Sequence, residues 1–114
     1  VGLDNMTPSI TTLPDIGVTG SEEEHLTPLY HVVLLDDDDH SYDYVIEMLQ
    51  KLLILSLEDA FRHAVEVDLT GRTNVLTCHL PEAEFARDQI HAYGPDWRMP
   101  QSKGSMSAVV EPVS

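Results

Sequence analysis

The chain has 114 residues, with 20 Asp and Glu against 6 Lys and Arg, and a formal net charge of −14 with neutral histidines. That is one domain's length of chain, and its acidity excludes the basic face that nucleic acid or an anionic membrane surface would require. At 42% hydrophobic residues it can still build a core, while its one cysteine, Cys78, allows neither an internal disulfide nor a cysteine-based zinc site and reads as a small buried apolar residue.

Residues 1–28 carry Asp4, Asp15, Glu22, Glu23 and Glu24, no Lys or Arg, and Pro8, Pro14 and Pro28. With no sustained apolar period, this stretch cannot offset its ordering entropy and reads as a flexible acidic tail. Residues 29–114 are then the folded domain, holding 15 acids and 6 bases. No apolar run approaches the ~18 residues of a membrane span, and no basic segment followed by an apolar one opens the chain. The expected class is a cytoplasmic globular domain.

Leu29–Leu35 is short, apolar and β-branched in its middle, which predicts a buried strand. Ser41 suits the N-cap of a helix whose apolar positions Val45, Met48, Leu49, Leu52 and Leu53 keep helical spacing. Ser56, with Asp59 three residues on, opens a second helix with Leu57, Ala60, Phe61, Ala64 and Val65 as its inner stripe, so a tight corner joins the two. Thr70–Gly71 signals a turn into a second strand over Thr73–His79. Pro81 suits the first position of a third helix with Ala83, Ala86, Ile90 and Tyr93 on one face, stopped by Gly94–Pro95. Residues 95–104 read as loop, and alternating Met106, Ala108 and Val110 predict a last strand ending before Pro112. The order βααβαβ predicts an α+β two-layer sandwich, a three-stranded antiparallel sheet with three helices on one face.

The chemistry concentrates at Asp36-Asp37-Asp38-Asp39-His40, between the first strand and the first helix. Carboxylates before a helix N-terminus are favoured by its dipole and can accept from its free amides. A calcium loop of the EF-hand kind does not fit: counting from Asp36, the sixth residue is Ser41 where glycine is required, although Glu47 stands twelfth. A looser divalent-ion site on the aspartate run is a weaker reading. A third reading is a cation site, where a primary amine meets the acids and its apolar side chain meets a hydrophobic wall. The histidines at 25, 31, 40, 63, 79 and 91 show no compact metal-ligand spacing. Neither a nucleophile elbow nor a glycine-rich phosphate loop occurs, so nothing argues for an enzyme or a cofactor.

The segments YHVVLLDDDDHSYDYVIEMLQKLL, AVEVDLTGR, AEFARDQIHAYG and SMSAVVEP, spread over about residues 29–112, resemble the ClpS family of adaptor proteins. That resemblance implies a fold like the C-terminal domain of ribosomal protein L7/L12 and a non-enzymatic role. Such adaptors bind N-degron substrates by an N-terminal Leu, Phe, Tyr or Trp and deliver them to a Clp AAA+ unfoldase and its ClpP peptidase. It implies a delivery role for the tail. It also implies an amine site at Asp36, Asp37 and Asp38 with His40 following, and a side-chain pocket at Tyr42, Val45, Ala64 and Met106. Asp36 stands where the family usually has Asn, and Tyr42 and Ala64 where Met is common. Asp68 takes the place of a His that hydrogen-bonds the substrate, and an ionised Asp68 accepts but cannot donate. Asp39, Glu84 and Arg87 fall at the implied contact with the unfoldase's N-terminal domain. The rival expectation is a domain of this fold that docks on the unfoldase without reading N-termini.

Overall fold

The structure, a computed structural model, describes residues 27–114. The expected tail over 1–28 falls almost wholly outside the described residues. The elements are β1 (Tyr30–Leu35), α1 (Tyr42–Leu53), α2 (Leu57–Thr70), β2 (Arg72–Cys78), α3 (Leu80–His91) and β3 (Ser107–Pro112). The sheet order is β2-β1-β3, and β1 pairs antiparallel with both neighbours, as the element order predicts. The last strand runs through Pro112 rather than stopping before it. As an edge-strand residue at the strand's end, that proline can forgo a donor without breaking an internal ladder.

Alternation along β1 sends Val32 and Leu34 into a core shared with Val75, Ala108, Met48, Leu49 and Ile90. Val33 belongs to the opposite face, yet it is only 2% exposed. Arg72 stands opposite Leu35 and Glu111 opposite His31, so their ion pair joins β2 to β3 across the face that holds Val33.

Both predicted serine caps form: Ser41 Oγ accepts from the Tyr44 amide and Ser56 Oγ from the Asp59 amide. The corner between α1 and α2 is turned at Ile54, whose φ of 57° lies in the left-handed region and whose side chain is 86% exposed. The inner stripe of α2 keeps Ala60 and Ala64 of the expected one and differs at its other positions. Ala60, His63, Ala64 and Val67 are buried, whereas Leu57 and Phe61 are exposed and Val65 is half-buried. Helices α1 and α2 pack directly on one another, and small side chains allow the closer approach, so the alanines win the inner face over the larger residues. His63 is held there by Thr73 Oγ1 at 2.7 Å, and the Thr73 hydroxyl in turn donates to Glu66. Burial pushes the His63 ring below its ordinary pKa. Cys78 is half-buried against the core edge, and desolvation, then Glu82, push its thiol up.

Candidate functional site

Four pieces of chain converge beyond the C-terminal end of β1. The aspartate run follows that strand directly, and the Asp36 amide donates to the Gly71 carbonyl at 3.0 Å, anchoring the run to the turn between α2 and β2. Ser41 then starts α1. Ala64, Val67 and Asp68 arrive on α2, and Met106 arrives just before β3. Together they line a small open cleft of about 50 Å³ walled by Asp36, Asp37, His40, Ser41, Tyr42, Val45, Ala64, Val67, Asp68 and Met106.

The cleft is acidic at its rim and apolar in its wall. Val45, Ala64, Val67 and Met106 are all buried. Asp37 is ordered by two donors on one oxygen: the Asp39 amide at 2.9 Å and His40 Nδ1 at 2.7 Å. His40 is nearly enclosed, its side chain 4% exposed, and its Nε2 lies 2.7 Å from the Gly104 carbonyl. Two oxygen acceptors, Asp37 Oδ1 and the Gly104 carbonyl, thus flank the ring. Burial, then the negative charges of Asp68, Asp37 and Asp38, raise the Asp36 carboxyl above its usual range, and a bond from the Asp37 amide partly offsets this. A positive charge placed in the cleft would relieve that repulsion. Tyr42 Oη donates to Asp68 Oδ2 at 2.7 Å.

Behind this rim, loop 95–104 holds a residue that periodicity does not mark. Asp96 is 1% exposed. Its Oδ2 accepts from both the amide and the hydroxyl of Ser41, each at 2.7 Å. Its Oδ1 accepts from the Arg98 amide at 3.0 Å and Nη1 at 3.2 Å, and Arg98 Nη2 reaches Glu47 Oε1 at 2.7 Å. Burial alone would push the Asp96 carboxyl up, but these four donors outweigh it and hold it at about 2. Arg98 first, then Lys51, bring Glu47 to about 2 as well.

Of the residues singled out in the sequence, Asp36, Asp37, His40, Tyr42, Val45, Ala64, Asp68 and Met106 share this cleft. Asp38 does not line it: its side chain is exposed, and its carbonyl lies 3.5 Å from Gln101 Nε2. Ser41 and Val67 are lining residues that went unmarked, one read only as a helix cap and the other lying three residues from Ala64 on the same helical face. Asp39 is exposed on the β1–α1 loop, while Glu84 and Arg87 sit three apart on α3, the first exposed and the second half-buried with its Nε on Asp88. Among the described residues no three His, Cys, Asp or Glu side chains group as a metal ion would need, which leaves the divalent-ion reading without support. Among the same residues no helix is long and apolar enough to cross a membrane.

The chain is 34% identical over 64 residues to the E3 ubiquitin-protein ligase UBR1 of Homo sapiens, and equally to that of Mus musculus. The match takes in 56% of this chain but only 4% of either ligase. Among solved structures, Agrobacterium tumefaciens ClpS2 bound to L-phenylalaninamide superimposes with a TM-score of 0.64 at 22% identity, covering 75% of this chain and 96% of that one, a likeness of fold. The sequence model of the ATP-dependent Clp protease adaptor protein ClpS matches residues 25–100, most of the chain, and the chain therefore belongs to the ClpS family of Clp protease adaptors.

Proposed function

We propose that this domain is an N-degron adaptor: it holds a protein by its first residue and hands it to a Clp AAA+ unfoldase and its protease, performing no catalysis itself. The observation that carries the reading is the cleft in which Asp36, Asp37 and Asp68 border the apolar Val45, Ala64, Val67 and Met106. An α-ammonium brings one charge and three donors, and only the first residue of a chain offers them beside a side chain. Each exposed contact with a carboxylate is worth about 1 kcal/mol, and more once the side chain excludes water. Among the acids lining the cleft, Asp37 is held by two donors on one oxygen, which leaves its other oxygen free of these bonds. The solved neighbour of the same fold is bound to L-phenylalaninamide, which carries a free α-amine beside an apolar side chain.

In this reading Glu84 and Arg87 on the outer side of α3, together with Asp39, meet the N-terminal domain of the unfoldase. The acidic, proline-bearing segment 1–28 serves delivery. The compartment is the ATP-supplied cytoplasm.

The test is a binding panel of peptides beginning with Leu, Phe, Tyr, Trp and Ala, each with a free and an acetylated N-terminus, against the full chain and Asp37→Ala. Binding of free-amine peptides that acetylation and Asp37→Ala both abolish supports the reading. Capture of the unfoldase's N-terminal domain with no amine-dependent peptide binding favours the docking domain that ignores N-termini.

A further inference from the structure

The cleft is bridged from wall to wall. Tyr42 begins α1 and Asp68 lies near the end of α2, and the phenol donates to the carboxylate at 2.7 Å. With that bond in place about 50 Å³ remains, room for a water or two and far short of the ~300 Å³ at which ligand-enclosing pockets begin. An isobutyl or benzyl group entering there would have to widen it.

The bridge is also built to move. Tyr42 is 39% exposed and meets the still more exposed Phe61 ring at 6.3 Å, so a rotamer change displaces no core packing. The other titratable groups on the cleft are Asp36, Asp37 and His40. Asp36 acts on the phenol only through its charge, and the phenol's hydrogen bond goes to Asp68, so Asp68 is what holds it.

We propose that the Tyr42–Asp68 bond selects first residues by size. A small side chain enters with the bond intact. A large apolar one must displace the phenol from Asp68 into solvent. Large first residues therefore carry the cost of one hydrogen bond that small ones escape. This rests on the cleft being the N-terminus site.

The experiment measures Kd for two peptides identical except for Phe or Ala at the first position, with free and acetylated N-termini, on the wild-type chain and on Tyr42→Phe and Tyr42→Met. Both variants lack the hydroxyl, and thermal melts establish that they fold. The expected result is tighter binding of the Phe peptide by about three- to tenfold, the equivalent of one net hydrogen bond, with the Ala peptide changed less than about twofold. No gain for Phe, or an equal gain for Ala, overturns the selector while amine-dependent binding still stands. If the wild-type chain binds no free-amine peptide, the N-terminus reading itself falls and the selector with it.

Discussion

Ser41 gives both its amide and its hydroxyl to one oxygen of Asp96, each at 2.7 Å, across 55 residues of chain. The same hydroxyl accepts from the Tyr44 amide. Loop 95–104 thereby fixes the first turn of α1, and with it the adjoining aspartate run, His40 and Tyr42. His40 makes a second connection to that loop through Gly104. The acidic rim is held from behind by a buried charge and not merely by its own repulsive neighbours.

Asp96→Ala is expected to cost about 2–4 kcal/mol, since it strips the partner from Arg98 and from the α1 cap. The loss depends on pH with a definite sign. Folding holds this carboxyl at about 2 against an ordinary value near 4, so the unfolded chain takes the proton first. Its stabilisation, about 2 kcal/mol from this carboxyl, is complete above about pH 4 and disappears as pH falls towards 2. Urea unfolding of wild type and variant from pH 6 to pH 2 checks this, and the gap between them narrows over the lower part of that range.

Ile54 sits in the left-handed region with a β-branched side chain that packs on almost nothing. Glycine adopts that conformation without the Cβ clash and is the usual residue at such a helix end. Ile54→Gly is expected to stabilise the domain by about 1 kcal/mol, read as a rise in the denaturant midpoint with no change in peptide binding.

Met106 is 2% exposed and forms part of both the core and the cleft wall. Met106→Ala is expected to destabilise by about 2–4 kcal/mol. It also deepens the cleft, so the affinity for a Trp-first peptide rises relative to a Leu-first one. Opposite movement of the two readouts separates a wall residue from a purely structural one.

The strands, the two serine caps and the position of the acidic junction were legible because each rests on local signals: alternation, a hydroxyl before an apolar period, a proline at the start of α3. The α2 stripe was legible only in part. Ala60 and Ala64 of the expected Leu57, Ala60, Phe61, Ala64 and Val65 are buried, but Leu57 and Phe61 are exposed and His63 and Val67 are buried instead. Close packing of α1 on α2 selects that face, which is a tertiary fact. Asp96 was illegible for a related reason: a carboxylate between Pro95 and Trp97 looks like loop until Ser41 and Arg98 are brought to it. The cleft residues, scattered from 36 to 106, were grouped by family resemblance, because no spacing within one element joins Asp37, Ala64 and Met106.

The central claim is that the cleft receives a chain's first residue, and a crystal structure of the domain with a free-amine peptide beginning with Phe tests it most directly. The account predicts the ammonium within about 3 Å of an Asp36 or Asp37 carboxylate oxygen. It also predicts the ring among Val45, Ala64 and Met106, with the Tyr42 phenol off Asp68. A peptide seated elsewhere, or an N-terminus left in solvent while the chain binds, would contradict it.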